Sequence, residues 1–551
     1  MRRRSILRSI ALSVSAGVVA ALLTVAAPSA ASAATGPGWQ SPITVGAGID
    51  PLIRVDTKGT THAVWRTFDR TRDDGDLYYA RLAASSRTWT TPKKLSQTSS
   101  QRMSSPTFDL AVGKGGTIAV VWASSPKFGR VGDPYFRWSG DGGTTWSTAA
   151  RLENASATDA VDSVTAEIGA DGLVTLAWTI ANTKTLATRG SITDAFAPGS
   201  AIRTQRLDSC LERFTTLTVS TGSRAMLSAG GLGDVSVCVR DADGTWGDPE
   251  VISPRGWGFS QVGYDAPAAF LPDGSVALVW HGRQTYFSDT PLNGVVFARW
   301  DSTTQKWSRK ILRNVDIDLD ADFEPQLVAR GNRLAVVAVT PRSSAGESVV
   351  AWRSVNGGTT WTSRATVATA AKGNPRASLN ADGALMIAWL EQGKASHERR
   401  VVARHMTADG TLGPSVQLAA LTDDRESKGF WPKSAGPATA FRPDGTAVFV
   451  WSDGNNIRSR DYARTLTAPA PKISGSAKVG QKLTAHPGTW TSGTTLTYQW
   501  YANGARIAGA TKKAYTLKAA QRGTKIKVKV TGKKNGYTTT TKTSAATSTV
   551  K

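Results

Sequence analysis

A glycine followed six residues later by a tryptophan recurs along this chain of 551 residues. The pairs are Gly59/Trp65, Gly116/Trp122, Gly172/Trp178, Gly274/Trp280, Gly383/Trp389 and Gly445/Trp451, with mostly apolar residues between. Two more pairs keep the spacing and lose the ring: Gly222/Ser228 and Gly331/Val337. Successive copies lie about 55 residues apart, a period that marks a solenoid, a propeller or another array.

Each copy reads as strand after strand. In the fifth, residues 266–271 form a first strand and Pro272-Asp273-Gly274 a turn. Residues 276–280, 295–300 and 308–312 follow as three further strands. The second is apolar on both parities, as expected of a strand covered on both faces. In a propeller, neighbouring blades supply that cover. No comparable stretch has helical periodicity, which argues against an α/β solenoid. The fold class expected is therefore all-β. It is an eight-bladed β-propeller of four-stranded blades, or seven-bladed if the degenerate fourth copy is not a full blade. The last copy ends after its third strand, and residues 38–45 resemble an outer strand. That early segment is expected to complete the last blade and close the ring, leaving no long unpaired edge.

The N-terminus reads as a targeting segment. Arg2, Arg3, Arg4 and Arg8 flank an Ala/Val/Leu-rich run, and Ala31-Ser32-Ala33 is a small-residue cleavage site. A signal peptide over 1–33 follows, exported by the general or the twin-arginine route. The protein is expected to be secreted, extracellular or cell-wall associated, with no transmembrane anchor. In that compartment Cys210 and Cys238, the only cysteines, allow a disulfide or two buried thiols.

The net charge of +24 is unevenly placed. The leader's four arginines and fifteen basic residues after position 471, where there is no acid, leave only +5 for the long middle. Residues 466–471 read as a Pro/Ala linker between a propeller over 34–465 and a basic domain over 472–551. In the basic domain, Lys525, Lys527 and Lys529 alternate with Ile526, Val528 and Val530. Alternation puts the lysines on one face about 6.7 Å apart. With Lys533 and Lys534 they form a cationic surface for an anionic polymer such as cell-wall polymer. The competing reading is that the lysines protect strand edges. No aromatic-interleaved RNA motif appears, so no specific nucleic acid is expected.

Two turns carry a family resemblance. Ser139, Asp141, Gly143, Thr145 and Trp146 match the Asp-box (BNR repeat) pattern Ser-x-Asp-x-Gly-x-Thr-Trp. Ser354, Asn356, Gly358, Thr360 and Trp361 match it with Asn for Asp. Residues 39–464 thus resemble a sialidase-like propeller. The residues after 471 resemble the bacterial Ig-like modules of actinobacterial secreted proteins. The residues that carry the second likeness include Pro487-Gly488-Thr489-Trp490, Tyr498-Gln499-Trp500 and Tyr515-Thr516-Leu517. The box is structural in its family and implies no hydrolysis.

A sialidase site as the resemblance implies it needs three arginines, a Tyr–Glu pair and an acid. Pro51-Leu52-Ile53-Arg54-Val55 is the nearest match to the first arginine segment and lacks its aromatic and second proline. Arg54 and Glu324 are the funnel candidates. The acidic loop Asp69, Asp73, Asp74 and Asp76 and the run Asp316, Asp318, Asp320, Asp322 and Glu324 are weighed as ligand sites against solvated loops. His281, Arg283 and Glu391 follow second strands. No metal and no cofactor are expected, and the protein is expected to be a monomer. The expectation is a propeller that binds glycan or cell-surface ligands. The alternative is an exo-acting glycoside hydrolase on acidic sugars.

Overall fold

A computed structural model describes residues 38–551 except 70–73, 85, 104–106, 125–131, 153–160, 181–183, 194–195, 197–204, 208–215, 221–223, 231–234, 242–243, 254–265, 284–292, 315–324, 344–345, 370, 372–374, 393–397, 423–435 and 535. The leader lies outside these residues. So do Asp73, Cys210, the acidic run before Pro325 and Glu324. Strands dominate, and the helical elements among the described residues are short 3-10 turns. Among those residues no helix is long and apolar enough to cross a membrane.

Ahead of position 463 the strands among the described residues form eight four-stranded antiparallel sheets. Their first strands are Ile49–Val55, Phe108–Val112, Val161–Ile168, Thr216–Val219, Ala268–Phe270, Gln326–Arg330, Arg376–Leu379 and Ala438–Phe441. We number the sheets 1 to 8 in that order. Each first strand lies against the first strand of the next sheet, and that of sheet 8 returns to sheet 1. The result is a closed, β-propeller-like ring. In sheet 8 the outer strand is Ile43–Ala47, paired antiparallel with Asn456–Tyr462. The ring is therefore closed by the earliest described strand, as expected from the sequence.

The recurring tryptophans explain the packing. Trp65, Trp122, Trp178, Trp280 and Trp389 are fully buried, and Trp451 nearly so. Each ring removes roughly 150–250 Å² from water, a gross gain on the order of 4–6 kcal/mol. The indole N–H also needs a partner. Trp65 donates to the Ala47 carbonyl at 2.9 Å, and Trp122 to that of Gln101 at 3.0 Å. Both carbonyls belong to the segment arriving from the preceding sheet. The second strands Thr61–Arg66, Ile118–Ala123 and Val174–Ile180 are buried at every position, as strands sandwiched between sheets must be.

The two motif turns staple neighbouring sheets. Ser139 Oγ accepts the Gly143 amide at 2.8 Å and donates to Asp141, which also accepts the Thr144 and Thr145 amides and the Thr145 hydroxyl. Burial works against charge on Asp141. The bonds from Thr145, Ser139 and Thr144 outweigh it and hold the carboxyl at about 2. Ser354 and Asn356 repeat the pattern with Gly358 and Thr360. Trp146 then meets Tyr79 of sheet 1 edge-on at 4.8 Å, and Trp361 meets Phe297 of sheet 5 edge-on at 4.8 Å.

Residues after 471 form a separate pair of sheets. One holds Lys472–Ser474, Lys482–His486 and Ala514–Thr516; the other holds Ala505–Arg506, Thr495–Ala502, Ile526–Lys533 and Thr540–Thr543. Trp500 is fully buried between them, with Leu483, Leu517 and Val528. The expected linker does not hang free. Leu466 and Ala468 pack on Trp490, Val530 and Tyr537, and Thr467 exchanges bonds with Thr491. Arg464–Thr465 pairs in parallel with Tyr537–Thr538, and the Arg464 guanidinium stacks 4.3 Å from the Tyr537 ring.

Candidate functional site

The antiparallel register decides which side chains reach the centre of the ring. The first-strand residue that pairs with the position just before each repeat tryptophan is Leu52, Asp109, Thr165, Arg376 and Ala438 in sheets 1, 2, 3, 7 and 8. All five line one central cavity of about 420 Å³. Arg54, Phe108, Gln326 and Thr439 complete the part of its wall relevant here. The volume falls in the range of small-molecule sites, roughly 300–1,000 Å³.

Charge is distributed unequally round this wall. Sheets 7, 8 and 1 supply Arg376, Thr439 and Arg54; sheets 2 and 3 supply Asp109 and Thr165. Sheet 1 also supplies Asp50, whose carboxylate is engaged by the Arg66 guanidinium at 2.6 Å. Arg54 Nη2 meets Asp109 Oδ1 at 3.4 Å, where the two arcs join. Asp109 is held in place from behind. It accepts the Leu110 amide at 2.8 Å, the Thr165 hydroxyl at 2.8 Å and the Ala166 amide at 3.1 Å. Arg54 keeps a side chain 40% exposed, so its pair with Asp109 leaves guanidinium surface for a ligand.

Glu167 stands at the place in sheet 3 that Arg54 occupies in sheet 1. Arg54 pairs with His62 and Glu167 with Thr175, each three residues before the repeat tryptophan. Burial pushes the Glu167 carboxyl up to about 7; Arg54 opposes the rise and Asp109 adds to it. Glu167 is not itself among the described residues that line the cavity; it acts on the site through its electrostatic interaction with Arg54 and Asp109.

Of the two funnel candidates read from sequence, Arg54 lies in the cavity and Glu324 is outside the described residues. The reading missed Asp109, Glu167 and Arg376. A signal existed: charged residues at inner-strand positions that are uncharged in most other repeats. Tyrosine is absent from the described cavity wall, so a Tyr–Glu pair is not assembled there among the described residues.

Of the loop acids, Asp74 and Asp76 are held in ion pairs. Arg102 bonds Asp74 at 2.7 Å and Asp76 at 3.3 Å, and Lys94 reaches Asp76 at 3.0 Å. Among the described residues no group of three His, Cys, Asp or Glu side chains is arranged to hold a metal ion. Glu391 accepts the Trp389 indole N–H at 3.0 Å and pairs with Arg400. The burial of His281 lowers its pKa. Cys238 is disulfide-bonded.

The lysine strand Ile526–Lys533 alternates as expected, with Ile526, Val528 and Val530 buried and Lys527, Lys529 and Lys533 exposed. Lys525 is exposed beside it. Lys529 lies 4.7 Å from the Tyr501 ring on that face. Lys534 departs from the expectation. It bonds the Ser492 carbonyl at 2.6 Å and lies 4.9 Å from the Tyr537 ring, at the contact with the ring of sheets. Lys534 lies just past the end of the strand, where the chain leaves that face.

No family model and no curated protein matches the sequence. Solved structures with similar folds include a polysaccharide lyase of family PL25, an ulvan lyase, at 10% identity and TM-score 0.40 over 77% of this chain and 94% of that one. A leech intramolecular trans-sialidase matches at 11% identity and TM-score 0.34, over 78% and 92% of the two chains. The NanB sialidase from Streptococcus pneumoniae matches at 9% and 0.33, over 78% and 93%. The ring described above rests on this chain's own strand pairing.

Proposed function

We propose that this protein is an exported, eight-bladed sialidase-like propeller that binds the acidic end of a glycan in its central channel. One observation carries the reading: Arg54 and Arg376 share the wall of a single cavity with Thr439, Gln326 and Thr165. Guanidinium groups bind carboxylates through paired, charge-assisted hydrogen bonds, and hydroxyl and amide groups suit the sugar's remaining polar atoms. In this reading Asp109 keeps Arg54 turned toward the channel.

The C-terminal pair of sheets is, in the same reading, an Ig-like module. Its exposed Lys525, Lys527, Lys529 and Lys533 face anionic cell-wall polymer, and the Asp-box turns hold the blades together. The protein acts as a monomer at the cell surface. Cys238 bonding with Cys210 would tie the fourth blade to the segment ahead of it.

Glu167 favours a second reading, a glycoside hydrolase on acidic sugars. A carboxyl with a proton near neutrality can serve as a general acid, and Asp109 is a second carboxylate close by. A glycan array and a fluorogenic glycoside panel on the mature protein separate the two. Binding of carboxylate-bearing glycans without turnover supports the first; turnover lost in Glu167→Gln supports the second. Binding that ignores the carboxylate rejects both. Retention on purified cell walls at low and high salt tests the module, since an electrostatic contact must weaken with salt.

A further inference from the structure

The seams between sheets are filled in different ways: opposite the residue before the repeat position, the third strand carries a ring in sheets 1, 2, 5 and 6 and a small residue in sheets 3, 4, 7 and 8. Tyr79 pairs with Val64, the residue before the repeat tryptophan of sheet 1, and sits under Trp146 of sheet 2. Phe297 pairs with Val279 in sheet 5 and sits under Trp361 of sheet 6. The same place in sheet 3, opposite Ala177, holds Ala187. The tryptophan above it is Trp246 of sheet 4. With no aromatic ring to fill the seam, a cavity of about 240 Å³ remains.

The lining of this cavity is rich in hydrogen-bond donors. It includes Thr175, Arg189, Gln205, Arg240 and Trp246, and among the described residues no carboxylate. Thr175 is 1% exposed, and among the described residues its hydroxyl has no partner. The Arg189 Nε–H is likewise buried without one, while the far end of that guanidinium pairs with Asp171. The Arg240 guanidinium lies beneath Gly244, where a Cβ would come within 2.9 Å of its Nη2. Gln205 is exposed and marks the way to solvent. Unmatched buried donors cost about 1–3 kcal/mol each. An acceptor-rich ligand would remove that cost.

We propose that this seam is a second binding site, for a sugar ring bearing a sulfate or phosphate ester. The ester's oxygens accept from Thr175, Arg189 and Arg240. Arginine forks suit such oxyanions, and the face of Trp246 receives the ring. The cavity is too large for the oxyanion alone, since a water molecule occupies about 30 Å³ of liquid. The site is separate from the channel, because Ala187 and Gln205 lie on the third and outer strands of sheet 3.

Calorimetric titration of the mature chain with glucose 6-phosphate, glucose 6-sulfate, inorganic phosphate and glucose tests the proposal. At least one sugar ester is expected to bind 10-fold or more tightly than both inorganic phosphate and glucose, and the tighter ester names the source. Ala187→Phe places a ring where Tyr79 stands in sheet 1 and Phe297 in sheet 5. It should weaken ester binding at least 10-fold. Thr175→Val should weaken it severalfold without lowering the melting temperature, and decides the matter if Ala187→Phe does not fold. Arg54→Ala should leave ester binding unchanged, which separates this site from the channel. Esters that bind no better than glucose overturn the proposal. Wild-type affinity in Thr175→Val does so too.

Discussion

Sheet 1 serves two regions that obey opposite rules. On its outer side, Tyr79 fills the seam beneath Trp146, and Phe297 does the same beneath Trp361. There the rings cover the neighbouring sheet. On its inner side, the position of Arg54 is alanine in sheets 2, 5 and 8 (Ala111, Ala269, Ala440) and serine in sheet 7 (Ser378). Only Arg54 and Glu167 bring charge to that place among these sheets. Recurrent positions hold the ring together, and Arg54, which breaks the recurrence, lines the channel. Substitutions in the two regions should therefore separate stability from binding.

The largest effect belongs to the seam. Gly143 has φ +86°, and a Cβ there would collide with the Tyr79 hydroxyl. Gly143→Ala should cost about 2–4 kcal/mol, read as a lower denaturation midpoint. Tyr79→Ala in the same chain should recover part of the loss, a coupling that a double-mutant cycle measures. If Gly143→Ala is neutral, the stapling account of the motif turns is wrong.

Next comes the channel. Arg376→Ala should weaken binding of a carboxylate-bearing glycan by about 10- to 100-fold, the worth of a charge-assisted bond. Stability should move by no more than about 0.5 kcal/mol. A matching loss of stability would mean that Arg376 belongs to the scaffold.

Two titrations sharpen the contrast. The Glu167 carboxyl is raised from 4.5 to about 7, so the folded protein prefers it protonated. The cost of that burial is absent below pH 4.5 and grows as the pH rises toward 7. Glu167→Gln should thus stabilise increasingly across that window; equal stability at pH 4 and pH 8 would contradict it. Asp141 is shifted the other way, from 3.8 to about 2. Its contribution is present above 3.8 and is lost as the pH falls toward 2, a smaller effect at an exposed turn. Asp141→Asn should narrow its stability gap to wild type over that range. The smallest expected change is in Lys527→Ala/Lys529→Ala: less retention on cell walls at low salt, with the melting temperature unchanged.

The four-stranded units and the closing role of residues 38–45 were legible because both depend on period. Glycine turns and buried tryptophans leave the same mark in every copy. The channel was only partly legible. Arg54 was found through a family likeness, whereas Asp109 and Arg376 emerge only when strands are aligned by pairing. A sequence scan sees a lone charge in an apolar strand, and only the register shows that five such strands point their equivalent residues at one cavity. The acids at Asp74 and Asp76, weighed as a ligand site against a solvated loop, are instead buried in ion pairs. Their partners Arg102 and Lys94 lie one strand and a loop away, so clustering along the chain hid a neutralised network. The seam cavity was invisible because alanine at position 187 is unremarkable until set against Tyr79 and Phe297.

The central claim is that the arginine arc of the channel selects a carboxylate. The most direct measurement is calorimetric titration of the mature protein with an acidic glycan and with its carboxyl-reduced counterpart. The titration is repeated on Arg54→Ala/Arg376→Ala. The account predicts at least a 10-fold preference for the acid in the wild type and none in the variant. Equal affinity for the two glycans, or a preference that survives loss of both arginines, would contradict it.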